Sequence, residues 1–169
     1  NTRLKTQYMS DGNLCVLVRD VPPFAASRII IHEEQNLPHL IPPEWPFNMY
    51  INEHTGAITQ LSYNMVDWNF IDTSSGYGLN DYIYVEGRDP SVRRYAENIE
   101  VSRTESGPLV NTFRVESTAP GADKLIREIS IINNLNRIDI RNSIFKTAVY
   151  EPEGVHFAFP FNIPEGEVN

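Results

Sequence analysis

Lys124-Leu125-Ile126-Arg127-Glu128-Ile129-Ser130-Ile131-Ile132-Asn133-Asn134-Leu135-Asn136-Arg137-Ile138-Asp139-Ile140-Arg141-Asn142-Ser143-Ile144-Phe145-Lys146 is the stretch that decides the fold. It holds two runs of ten residues in which β-branched side chains sit between polar ones, the pattern of extended strands with one face buried. Asn133 to Asn136 lies between them, and asparagine enters the left-handed region of the backbone at low cost. The stretch therefore predicts a long antiparallel hairpin.

The same period of two recurs outward from there. Phe47, Met49 and Ile51 share one face, as do Val155, Phe157, Phe159 and Phe161. Asp81 to Gly87 and Leu109 to Ser117 add two further strands, and Leu14 to Asp20 and Ser27 to His32 two short ones around Val21-Pro22-Pro23-Phe24. Asn52-Glu53-His54-Thr55-Gly56 supplies a glycine for a tight turn after the strand at Phe47. Helical spacing is nearly absent, so the expected fold is an all-β, antiparallel β-sandwich. Leu37-Pro38 and Ile41-Pro42-Pro43-Glu44-Trp45-Pro46 suit neither a helix interior nor a central strand. They divide the chain into short strands of a small preceding β-subdomain (1–32), a proline-rich linker (33–46) and the first part of a large sandwich (47–169).

Composition narrows the function. With 169 residues, 41% hydrophobic and 21% charged, the chain is long enough to bury roughly 70% of its unfolded surface. A net charge of -8, with Lys and Arg scattered singly, argues against a nucleic-acid partner. No apolar run approaches the roughly 20 residues of a membrane-spanning helix. The amino end, Asn1 to Ser10, carries no signal-peptide pattern, so any export signal has been removed or lies upstream, and the compartment is not written in the sequence. Cys15, the single cysteine, rules out an internal disulfide and reads as an inert thiol in an apolar run.

The order of motifs resembles the region after the catalytic barrel in glycoside hydrolase family 38, the alpha-mannosidases. Val18-Arg19-Asp20-Val21-Pro22-Pro23-Phe24 is similar to the segment that closes a small sheet before the large sandwich there, and Phe47 to Leu61 to the strand, turn and strand that follow. Leu79-Asn80-Asp81-Tyr82-Ile83-Tyr84-Val85-Glu86-Gly87, Gly107-Pro108-Leu109, Ile126-Arg127-Glu128-Ile129 and Asn136-Arg137-Ile138-Asp139-Ile140 come next in the same order. Glu153-Gly154-Val155-His156-Phe157-Ala158-Phe159-Pro160-Phe161-Asn162 is the most specific match. The resemblance spans about residues 14 to 168. It implies part of a galactose-mutarotase-like supersandwich, with the family's aspartate nucleophile and zinc ligands on a barrel that this sequence lacks.

No residue of this chain is therefore expected to be catalytic or to bind a cofactor or metal, and zinc is expected in the missing catalytic domain. His32, His39, His54 and His156 have no metal-site spacing. Glu128, Asp139 and His156 form an imaginable acid/base set, but solvated charges or cross-strand pairs with Arg127, Arg137 or Arg141 are the ordinary explanation of the two acids. Trp45, Trp68, Tyr77, Tyr82 and Tyr84 are the candidate carbohydrate contacts, because a pyranose ring stacks its apolar face on an aromatic plane. Asp72 to Gly78 is a polar loop long enough to reach a neighbouring domain or ligand.

The expected function is thus a non-catalytic C-terminal β-sandwich domain of an alpha-mannosidase-like glycoside hydrolase. Its expected partners are the catalytic barrel of the same polypeptide and carbohydrate. An independent carbohydrate-binding module and a mutarotase-type sugar epimerase are the alternatives.

Overall fold

The computed structural model describes residues 3–32, 46–64 and 66–164. Among them there is no helix, and every strand pairing is antiparallel. The strands are β1 (Thr6–Tyr8), β2 (Leu14–Val16), β3 (Phe47–Ile51), β4 (Ile58–Tyr63), β5 (Tyr82–Glu86), β6 (Arg93–Tyr95), β7 (Glu97–Ser106), β8 (Val110–Ala119), β9 (Ala122–Ile132), β10 (Arg137–Lys146) and β11 (Glu153–Phe157). They form a four-stranded sheet in the order β10-β9-β8-β7, a three-stranded sheet β11-β5-β6 and two hairpins, β1-β2 and β3-β4.

Turn chemistry sets the register. In the β9-β10 hairpin Asn134 and Asn136 take φ of 68° and 49°, the left-handed conformation for which asparagine suits. In the β3-β4 turn Gly56 takes φ 68°, and its N–H donates to the Asn52 carbonyl at 2.6 Å. The Asn52 side chain holds the loop from within by accepting from the His54 N–H at 2.8 Å.

The core lies on one face of the four-stranded sheet. Its register sets Val115 beside Arg127, Phe113 beside Ile129 and Ser117 beside Leu125, so these side chains share the inner face. Over one half of that face, Val115 and Ile129 pack with Ile58, Leu61, Ile71 and Leu79, flanked by Phe47, Met49 and Ile51 of β3. Over the other half, Leu125, Ala119 and Ala122 pack with Tyr82, Tyr84 and Ala96, flanked by Val155 and Phe157 of β11. The four-stranded sheet is thus one layer of a sandwich-like arrangement, covered by β3-β4 and β11-β5-β6. Each fully buried Ile or Leu stabilises it by about 1.5–3 kcal/mol.

Several strand expectations shift. Ser27 to His32 forms no strand, and its three isoleucines are exposed. The run from Val155 is a strand only to Phe157, beyond which a single bridge joins Phe161 to Ile71. β7 has no counterpart in the period-two reading: it is the edge of its sheet, exposed along most of both faces, so its sequence carries no apolar alternation. The amino-terminal hairpin docks on the turn before β8 through Gln7, whose side-chain amide acts like a short piece of strand. Its carbonyl accepts from the N–H groups of Leu109 and Val110 at 2.9 and 2.7 Å, and its amide donates to the Val110 carbonyl at 2.8 Å.

Candidate functional site

Two clusters of polar and aromatic side chains stand out, one inside the sandwich and one on its surface. The internal one centres on Arg127. This residue sits in the inner row of β9 between Leu125 and Ile129 and is fully buried. The expected pairing of Arg127 with a surface carboxylate is therefore corrected: adjacent strand residues point to opposite faces, so Arg127 faces the core while Glu128 faces out. Glu128 pairs with Arg114 at 3.2 Å, and Asp139 with Arg137 at 2.8 Å.

Inside, the Arg127 guanidinium donates through Nη1 to the Asn80 carbonyl at 3.2 Å and through Nη2 to the Thr55 carbonyl at 2.8 Å, while Nε has no partner among the described residues. Burial pulls its pKa down to about 10, against the opposing attraction of Asp81. Burial likewise pushes the Asp81 carboxyl above the ordinary range, with Arg127 pulling it back. Asn80, itself at φ 63°, exchanges side-chain amide bonds with Asn142 at 2.9 and 2.7 Å. This network ties the β3-β4 turn and the start of β5 to the four-stranded sheet. A Cβ at Gly56 would overlap Arg127 Nη2 and come within 2.6 Å of Val115 Cγ1, so the turn glycine is required both for its φ and for room. With Arg127 and Asn80 fully buried, Arg127 bonded to the Asn80 and Thr55 carbonyls and Asn80 to Asn142, the arrangement is an architectural lock.

The surface cluster lies on the outward face of β11-β5-β6. The register places His156, Ile83 and Tyr95 in one cross-strand row and Gly154, Val85 and Arg93 in the next. Tyr82 and Tyr84 point the other way, into the core, so Ile83 and Val85 form a half-buried floor open to solvent. The Asp72–Gly78 loop brings Tyr77 over this face. Its ring centroid is 6.4 Å from that of Tyr95 at an interplanar angle of 44°, and its hydroxyl accepts from Arg93 Nη1 at 2.5 Å. A hydrogen bond from Tyr95, and then the one from Arg93, hold the Tyr77 phenol below its ordinary pKa.

The five candidate sugar contacts separate accordingly. Tyr77 belongs to this surface cluster. Tyr82 and Tyr84 are buried, with hydroxyls donated to the Pro120 carbonyl at 2.6 Å and to Glu153 at 2.7 Å, so neither ring offers a face to a ligand. Trp68 is partly exposed elsewhere, its indole N–H pointing at the Asn162 carbonyl at 3.4 Å. Trp45 and residues 33–45 of the expected linker lie outside the described residues. Tyr95 and Arg93 went unremarked in the sequence, because β6 is three residues long and only its pairing with β5 brings them beside Tyr77.

Glu128 and His156 stand on different sheets and are not brought together as an acid/base pair. Among the described residues no group of three or more His, Cys, Asp or Glu side chains is placed to hold a metal ion, and no helix is long and apolar enough to cross a membrane. Comparisons with family models, curated proteins and solved structures return no match.

Proposed function

We propose that the chain is a non-catalytic β-sandwich domain of an alpha-mannosidase-like glycoside hydrolase, part of a galactose-mutarotase-like supersandwich that braces a zinc-dependent catalytic barrel. The ordered motif set from Val18 to Asn162 motivates the family, and the all-β antiparallel architecture is the one it implies.

The observation that carries the bracing role is an exposed apolar patch within the most specific motif. Phe159 and Phe161 are each about half exposed, with ring centroids 6.4 Å apart. Trp68 joins them through Asn162, whose amide also donates to the Asn69 carbonyl at 3.0 Å, and Ile163 follows at 66% exposure. Large aromatic side chains held outward by backbone bonds rather than folded into the available core are what a surface that meets another domain presents.

The isolated chain should release no product from an aryl alpha-mannoside, with or without added zinc. Robust turnover that persists through repeated purification would overturn the reading.

A further inference from the structure

We infer that the outward face of β11-β5-β6 is a binding platform for an acidic saccharide, with Tyr95 and Tyr77 stacking the sugar ring and Arg93 taking its anionic group. The inference rests on the reading of the chain as part of a carbohydrate-active enzyme and names the ligand class of a face which that reading does not use.

Three observations carry it. The two tyrosine rings are tilted rather than stacked flat and both remain partly open, so an apolar sugar face meets aromatic carbon while hydroxyls reach the two phenols. Ile83 and Val85 supply a half-buried apolar floor along β5, and the His156 imidazole lies over the neighbouring Gly154, its Nε2 3.0 Å from where a Cβ there would stand. Arg93 is held by two fixed acceptors, Nε on the Pro90 carbonyl at 2.7 Å and Nη1 on the Tyr77 hydroxyl. Neither acceptor is a carboxylate, and among the described residues none is bonded to Nη2. An oriented guanidinium without a counter-ion beside an aromatic pair discriminates in favour of a carboxylate, sulfate or phosphate over a neutral hydroxyl. The overall charge of -8 and the Asp81 carboxylate, whose charge acts on both Tyr77 and Tyr95, oppose an anion, so the discrimination comes from direct contact with Arg93.

The chain is titrated, with tyrosine ring NMR signals as readout, against methyl galacturonide, galactose 6-sulfate and the neutral methyl galactoside. At least one acidic sugar should bind about tenfold more tightly than the neutral one, and Arg93→Gln and Tyr95→Ala should each weaken it about tenfold. Preference for the uronide assigns the carboxylate as the natural group, and preference for the sulfate assigns an ester. Leu135→Ala, an exposed residue in the β9-β10 turn of the other sheet, serves as the control and should bind like the parent. Equal binding of neutral and acidic sugars, or no saturable shift with either acid up to about 10 mM, would overturn the inference. Both tests use the unmodified chain, so misfolding of a variant does not obscure them. Failure here would leave the barrel-bracing role intact, since mannoside turnover tests that separately.

Discussion

Replacing Arg127 by methionine tests the internal lock most sharply. The change strands the buried Asn80 carbonyl and the part-buried Thr55 carbonyl, at about 1–3 kcal/mol each, and removes the charge among the described residues that draws the Asp81 carboxyl back toward its ordinary range by direct attraction. It also relieves a burial cost: the fall of the guanidinium from 12.5 to about 10 corresponds to about 3 kcal/mol. With the carbonyls near 4 kcal/mol together and the Asp81 attraction already contained in the guanidinium's shift, the net loss is about 1 kcal/mol. In urea, with a slope of about 2 kcal/mol per molar, the midpoint should fall by about 0.5 M.

Two internal signatures distinguish this mechanism from simple loss of packing. The first is pH. Asp81 has a folded pKa above its unfolded value, so the folded state holds the extra proton and stability falls as pH rises through that window. Removing Arg127 raises the folded value further, so the gap between parent and Arg127→Met should widen as pH climbs from about 4. The second is coupling. Gly56→Ala alone carries a left-handed-backbone cost of about 1–2 kcal/mol plus the overlap with Arg127, and in the Arg127→Met background it should cost at least about 1 kcal/mol less. A midpoint change below about 0.3 M, or a gap that is flat with pH, would refute the lock.

Other positions give simpler expectations. Gln7→Ala removes three hydrogen bonds and orphans the buried Leu109 N–H, so the β1-β2 hairpin should undock at a cost of about 2–3 kcal/mol, visible as faster amide exchange at Cys15 and Leu17. Lys146, then Tyr84, holds the Glu153 carboxyl below its usual range, which stabilises the fold above its unfolded pKa and fades as pH falls. Urea midpoints of parent and Glu153→Gln should accordingly converge on acidification from pH 7 toward about 3. Asn134→Val forces a β-branched side chain to a φ of 68° and should lower stability by about 1–2 kcal/mol, whereas Asn134→Gly should change it little.

The parts legible in the sequence were those whose chemistry is local. The β9-β10 hairpin could be read from alternation and asparagines, and the β3-β4 turn from Gly56, because each needs only its own residues to specify a conformation. β7 was not legible: ENIEVSRTES is an edge strand whose exposure removes the apolar signal, and it pairs only because β8 offers it a ladder. Arg127 was misread for a related reason. Alternation places it in the apolar row of β9, but a charged residue ordinarily belongs outside, and only the Asn80 and Thr55 carbonyls, 47 and 72 positions away in sequence, make the inside tenable. The same long-range assembly separates Tyr82 and Tyr84, which fill the core, from Tyr77, which meets Tyr95 and Arg93 only across strands.

The most direct test of the proposed role is to obtain the coding sequence upstream of Asn1, express the longer polypeptide and assay it for zinc-dependent hydrolysis of an aryl alpha-mannoside. The account predicts turnover that a chelator abolishes and zinc restores, with activity or solubility lost when Phe159 and Phe161 are both changed to serine. A longer polypeptide without a barrel, or with no metal-dependent mannoside hydrolysis, would contradict it.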